Sequence, residues 1–192
     1  MAGNKYEEIA AAAIQLFEQK GYHATSVQDI ADAVGLQKGS LYHYIASKEE
    51  LLLKITHQAI NGFVRRLEEI IDTNLPVEER FRQGIRTHMQ YITQYLSMST
   101  VLLREAFSLG EPHNEVIRDL TDRYLNLWTQ IINEGVAAGV FSVKDSRIAA
   151  LTILGSCNWV YRWFKEEGKY TAEEIADQMA NLFLDGLKKG RT

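Results

Sequence analysis

Proline occurs at only two of 192 positions, Pro76 and Pro112, and each directly precedes a long stretch with apolar residues at helical spacing. A proline in the first turn of a helix gives up an N–H that has no partner there, whereas further in it breaks the ladder. Alternating β-branched runs, the mark of a half-buried strand, are absent. The chain is therefore expected to be all-α. Four starts carry capping-box spacing, an acceptor side chain followed three residues on by an acid: Asn4 with Glu7, Ser26 with Asp29, Ser47 with Glu50, and Thr171 with Glu174. Starts and breaks together predict about nine helices, over 4–20, 26–33, 37–43, 47–73, 76–97, 99–109, 112–137, 145–166 and 171–188.

A hydrophobic content of 46% over 192 residues is ample for a core. The longest nearly uncharged run, Gly155 to Tyr161 with its flanks, is interrupted by Arg147 and Arg162 and falls short of the ~20 apolar residues of a membrane span. Asn4, Lys5, Glu7 and Glu8 leave no apolar centre for a signal peptide, so no membrane association and a cytoplasmic location are expected. The lone Cys157 excludes an internal disulfide and, without neighbouring ligand types, a zinc site. It is expected to be a small buried hydrophobe, and no metal or cofactor is anticipated. Five scattered histidines and no acid–base cluster at helical spacing offer nothing to an enzyme.

The first three predicted helices are short and those after Ser47 mostly long. This divides the chain into residues 1–47 and a helical bundle over 48–192, joined without a flexible linker. In the first part Ile9, Ala13, Leu16 and Phe17 form one apolar face, Gly21 ends the helix, and Val27, Ile30, Ala31 and Val34 stripe the next. Gly35 makes the turn into a second short helix. That layout, two short helices around a glycine turn, is the one the DNA-binding helix-turn-helix uses, although an ordinary αα-turn of this length also shows a glycine and some polar residues. Leu36 and Leu41 serve the core, which leaves Lys38, Ser40, Tyr42 and His43 outward.

Those side chains suit a major groove. Gly39 lets the backbone approach, Lys38 meets a guanine edge or a phosphate, and Ser40 gives or accepts a hydrogen bond. Tyr42 offers a ring to a thymine methyl and a hydroxyl to a phosphate, and His43 donates to either. Thr25 with the free amides at the next helix start, from Ser26 on, is expected to hold one phosphate, and Lys48 with the amides of the fourth helix another. Net charge argues the other way. It is −4 for the chain, and in the first fifty residues four lysines face seven carboxylates for a net −3, so affinity has to come from a few placed contacts.

The run from Gly21 to Ala31, then Val34 to Ile45, then Ser47-Lys48-Glu49-Glu50-Leu51-Leu52 resembles the N-terminal domain of the TetR family of transcriptional repressors over about residues 5 to 55. Gln37 stands where that pattern favours a small hydroxyl residue, and Ile45 where it favours phenylalanine. The resemblance implies phosphate contacts by Tyr42 and Lys48, adds Gln37 to the groove-facing set, and leaves Tyr44 between phosphate contact and partly buried support. It also implies a homodimer on double-stranded operator DNA, because two recognition helices must reach two half-sites.

Dimerisation in the family implies pairing of the last two helices as a four-helix bundle. The matching residues are Ile148, Leu151 and Gly155 in the eighth helix and Ile175, Met179, Leu182, Phe183 and Gly186 in the ninth. The resemblance further implies an effector cavity among helices four to eight. Its candidates are Met89, Tyr95, Met98, Phe107, Tyr124, Trp128, Trp159 and Trp163, with Phe63 and Tyr91 beside them. Arg104 and Arg162 interrupt apolar runs, and a buried arginine needs an anion, either a fixed acid or a ligand's phosphate or carboxylate. A fixed acid such as Glu105 is expected for Arg104; both partners stay open for Arg162.

Asn158 to Phe164, followed by Gly168, Tyr170, Thr171, Glu174-Ile175-Ala176 and Leu182 to Leu187, is similar to a branch of the family that responds to coenzyme A thioesters. The implied reading is a repressor released from its operator by a small hydrophobic effector, with an acyl-CoA ahead of a drug-like molecule. Its alternatives are a DNA-binding regulator without an effector, and an efflux repressor answering drug-like ligands.

Overall fold

The computed structural model describes residues 2–111 and 113–188, with the side chains at positions 2–4 and 107 left aside. Pro112 and the side chains of Asn4 and Phe107 thus lie outside the described residues. Within them the chain is all-α: α1 (Ala2–Lys20), α2 (Val27–Ala33), α3 (Lys38–Leu41), α4 (Lys48–Ile71), α5 (Val77–Gln94), α6 (Leu96–Glu105), α7 (His113–Ala137), α8 (Ser146–Asn158) and α9 (Ala172–Leu187). Short 3-10 turns follow α6 and α8.

The chain groups into two compact units, one of residues 1–60 with 97–119 and one of 61–96 with 120–192. In the first, Ile9, Ala13 and Phe17 of α1 pack with Ile30, Ala31, Leu41, Ile45, Leu51 and Leu52, all at most 3% exposed. Burying each such side chain contributes about 1.5–3 kcal/mol, enough to hold helices too short to persist alone. Gly21 and Gly35 supply the two sharp turns at φ 85° and 67°. At the second, Leu36 N–H donates to Ala31 C=O at 2.9 Å and Gly35 N–H to Asp32 C=O at 3.2 Å, a Schellman closure of α2.

Three capping pairs have described side chains. Ser26–Asp29 and Thr171–Glu174 close both reciprocal bonds. Ser47 Oγ accepts from Glu50 N–H at 3.0 Å, while the Glu50 carboxylate reaches one residue further back, to Ala46 N–H at 2.9 Å.

Several helices end earlier than periodicity predicts, α5 at Gln94 and α6 at Glu105 among them, and two of these ends, those of α3 and α8, have a local cause. After Leu41 the ladder tightens, with His43 N–H to Ser40 C=O and Tyr44 N–H to Leu41 C=O. After Asn158 the chain continues as the 3-10 turn Trp159–Arg162. Both stretches, Tyr42-His43-Tyr44 and Trp159-Val160-Tyr161, are aromatic or β-branched, residues that lose side-chain freedom in an α-helix.

In the second unit α5 and α9 pack along their lengths. Their buried residues, Phe81, Ile85, His88 and Ile92 on α5 and Ile175, Ala176, Ala180 and Leu184 on α9, follow helical spacing. At the margin Arg86 grips Asp177 with two bonds, 2.5 and 3.1 Å, which hold that carboxyl below the usual range. Trp128, Phe81 and Phe141 meet edge to face, and the Phe141 ring occupies the space a side chain at Gly135 would need. Cys157 is fully buried, and burial pushes its thiol up to about 12. Among the described residues no helix is long and apolar enough to cross a membrane.

Candidate functional site

Buried Leu41 and Ile45 anchor the segment from Gln37 to Tyr44 from below. Gln37, Lys38, Gly39, Tyr42, His43 and Tyr44 are exposed and Ser40 is half-buried, so one short stretch presents an amide, an ammonium, a hydroxyl, an imidazole and two phenols. Space around Gly39 is open.

The expected phosphate contacts nearby are arranged differently. Thr25 is only 1% exposed, and its hydroxyl donates to Gly21 C=O at 2.8 Å, closing the α1–α2 turn. Its side chain therefore points into the fold, a consequence of the tight turn after Gly21. Lys48 Nζ donates to Tyr22 C=O and Thr25 C=O, both at 2.7 Å, and sits 4.2 Å from the Tyr22 ring centre. Two of its three donors are thus used, and burial lowers its pKa. Ser26 is exposed, but its Oγ is taken up with Asp29, whose carboxyl is held at about 2 by the Ser26 amide, Lys20 and the Ser26 hydroxyl.

A second cluster lies in the other unit. Phe63 of α4, His88 and Tyr91 of α5 and Tyr124 of α7 have ring centres 4.4 to 5.9 Å apart. His88 Nδ1 and the Tyr124 hydroxyl share a hydrogen bond at 2.8 Å. Burial lowers the His88 pKa to about 4, so the ring is neutral at physiological pH, and burial also pushes the Tyr124 phenol far up. Two polar atoms here are buried without a partner, His88 Nε2 and Trp128 Nε1. Asn158 lies within side-chain hydrogen-bonding reach of the imidazole and Tyr124 of the indole, although neither contact is well aligned. A narrow fissure, too tight for a water, runs between Phe63, Arg66, Leu67, Gly84, Thr87, His88 and Tyr124. Arg66 stacks on the Tyr91 ring at 4.4 Å and donates to Gly62 C=O at 3.1 Å.

The predicted effector residues divide. Tyr124 lines the fissure, Trp128 is fully buried against Gly84 of that lining, and Met89 is fully buried. Tyr95 is 40% exposed and Met98 half-buried. Trp159 and Trp163 are 60% and 49% exposed, left outside the core where α8 gives way to the 3-10 turn. The arginine expectations are corrected. Arg104 is exposed and donates to the Glu18 C=O at the end of α1, at 3.3 Å, while the buried Glu105 accepts instead from the Ser108 hydroxyl at 3.3 Å. Arg162 is exposed too, 5.5 Å from the Trp159 ring centre. Both arginines keep contact with water and therefore need no buried anion.

His88 and Arg66 were not among the sequence candidates. The signal existed for His88, since Phe81, Ile85, His88 and Ile92 form one apolar stripe and an imidazole on such a stripe is enclosed. Of the predicted dimer residues, Ile148, Leu151 and Leu182 are 62%, 52% and 71% exposed, with open space at Gly155 and Gly186. Met179 and Phe183 are half-buried, and Ile175 faces its own core.

Residues 9–55 match the family described as "Bacterial regulatory proteins, tetR family", and residues 74–187 match "Tetracyclin repressor-like, C-terminal domain". The chain belongs to the TetR family. It is similar to the HTH-type transcriptional repressor KstR2 of Mycobacterium tuberculosis, 28% identical over 184 residues that cover 95% of this chain and 90% of that protein. The crystal structure of the TetR-family regulator PfmR from Thermus thermophilus superposes with a TM-score of 0.86 at 35% identity, covering 94% of this chain and 99% of that one. AibR, solved in complex with isovaleryl coenzyme A and operator DNA, superposes at 0.85 with 29% identity, over 93% and 97% of the two chains. Membership makes the exposed α3 segment part of a regulatory helix-turn-helix and residues 74–187 the TetR-family C-terminal domain. The family is one of transcriptional regulators and not of enzymes.

Proposed function

We propose that this TetR-family regulator is a homodimeric repressor that lays α3 into the major groove of operator DNA and is released by an acyl-CoA effector. The observation that carries the DNA half is the outward set Lys38, Ser40, Tyr42, His43 and Tyr44 seated on buried Leu41 and Ile45. Such a set has no core to serve and matches the donors and rings that read base edges and phosphates. Gln37 and Gly39 complete the groove face, and the remaining donor of Lys48 serves a flanking phosphate.

Dimerisation is supported by the exposed apolar stripe Ile148, Leu151, Trp159 and Leu182, flanked by the open glycines 155 and 186. Apolar side chains so exposed in a row mark an association surface. The acyl-CoA half is supported by similarity to AibR, which was solved with isovaleryl coenzyme A, and by the aromatic cluster around His88. Effector binding would favour a conformation in which the two recognition helices no longer match the half-sites.

Fluorescence anisotropy on the DNA upstream of the gene, with and without isovaleryl- and octanoyl-CoA, tests both halves. Binding that acyl-CoA reverses is the expected result; absence of binding removes the operator, and binding that acyl-CoA leaves unchanged removes the effector. A second reading, regulation without an effector, draws on the tightness of the fissure and predicts that last outcome.

A further inference from the structure

The side chain at the start of α3 is used differently from those at the other capped helices. Ser26, Ser47 and Thr171 each accept from a backbone N–H three residues on, at 3.0 to 3.2 Å, and Asp145 accepts from two. Gln37 holds the corresponding position before α3. Its backbone is extended, at φ −73° and ψ 147°, and its carbonyl opens the helix by accepting from Leu41 N–H at 3.1 Å. Its side chain, however, makes no capping bond, is exposed, and has no hydrogen-bond partner among the described residues. Side chains that cap well carry their acceptor on Cβ or Cγ, and glutamine carries it on Cδ. The four-residue α3 thus forgoes a stabilising bond that a serine at position 37 would make with Ser40 N–H. A local rule broken without gain inside the protomer points to a partner outside it.

The chemistry of the free group names its counterpart. A primary amide offers an acceptor and a donor side by side. In the major groove only the adenine edge presents the complementary pair, the N6 amino donor beside the N7 acceptor; guanine shows two acceptors, cytosine a donor, and thymine an acceptor with a methyl group. The surroundings permit the approach, since Lys38 is exposed and the space about Gly39 is open. The first residues of a recognition helix are also those that contact base edges. Resting on the reading that α3 enters the major groove, we infer that Gln37 reads an adenine in each half-site, its amide oxygen accepting from the N6 amino group and its amide N–H donating to N7. The operator accordingly carries adenines at two symmetry-related positions, each opposite the start of one α3. Position 37 favours sequence choice over protomer stability.

The test uses the full chain as wild type, Gln37→Ser and Gln37→Glu to select sites from a random double-stranded DNA library. The enriched site is then measured by anisotropy, intact and with the adenine replaced by 7-deazaadenine, in which a C–H stands in place of N7. Wild type should enrich adenine at one position per half-site and lose about tenfold in affinity on the deaza substitution. Gln37→Ser should select no base at that position and ignore the deaza base, while melting about 2–4 °C higher because the cap is restored. Gln37→Glu, which only accepts, should move the preference to cytosine, whose N4 amino group donates. Opposite signs of stability and discrimination in Gln37→Ser separate base reading from a merely structural role. Identical enriched bases in wild type and Gln37→Ser, adenine retained by Gln37→Glu, or wild-type affinity untouched by the deaza base each overturns the inference while leaving DNA binding in place. So does a Gln37→Ser variant that weakens every sequence equally, the behaviour of a phosphate contact. If wild type enriches no sequence at all, the DNA-binding reading falls and the inference falls with it.

Discussion

His88 Nδ1 lies 2.8 Å from the Tyr124 hydroxyl oxygen, a hydrogen bond between α5 and α7 made in near-complete burial. Because the imidazole is enclosed, the neutral form is favoured, and its pKa falls to about 4 from an ordinary 6.5. The unfolded chain therefore takes up a proton at higher pH than the folded one. Stability from this group is fully present above pH 6.5 and is lost as pH falls from 6.5 toward 4, by on the order of 3 kcal/mol at the lower end. Urea unfolding at pH 7.0, 5.5 and 4.5 should show that slope in the wild type and a shallower one in His88→Phe. Parallel slopes would place the acid sensitivity elsewhere.

Lys38 and Lys48 are ten residues apart but differ in what they hold. Lys38 is exposed, whereas Lys48 clasps two carbonyls of the α1–α2 turn. Lys38→Ala should weaken operator binding by about 1–3 kcal/mol with the melting temperature unchanged. Lys48→Met should also lower stability, by roughly 1.5–3 kcal/mol, since hydrogen bonds from a charged donor are lost. Thermal melts beside anisotropy separate the two, and identical stability in both variants would deny Lys48 its structural part.

Gly135 and Gly155 make a second contrast. The Phe141 ring fills the position of a side chain at Gly135, while nothing stands within 4 Å of one at Gly155. Gly135→Ala should cost about 1–3 kcal/mol through overpacking. Gly155→Ala should leave the protomer unharmed or gain up to ~1 kcal/mol of helix propensity, yet weaken the dimer if a partner helix approaches there. Denaturant midpoints at two protein concentrations distinguish these cases.

Leu182 on α9 is 71% exposed, a large apolar side chain left mostly in water. Leu182→Glu should shift sedimentation from dimer to monomer and reduce operator affinity at least tenfold, since two half-sites no longer bind as one. A dimer that survives the substitution would move the interface away from α9.

Local signals were sufficient for the helices and their order. Periodicity, two turn glycines and the Ser26–Asp29 and Thr171–Glu174 caps act within a few residues of themselves, so the chain alone determined an all-α fold and a helix-turn-helix at the N-terminal end. Outwardness of Lys38, Tyr42 and His43 was likewise legible, because Leu41 settles which side of so short a helix is inside. Partnership was not. Thr25 and Lys48 carry groups suited to phosphate, and only the fold turns one hydroxyl inward and gives one ammonium to the carbonyls of Tyr22 and Thr25. Arg104 and Arg162 sit in apolar runs that suggest burial, and tertiary packing leaves both in water. His88 shows the same limit from the other direction. Its place on an apolar stripe predicts enclosure, but that its Nδ1 meets the Tyr124 hydroxyl depends on α5 and α7 converging, and hydrogen bonds between helices far apart in sequence leave no trace in either segment alone.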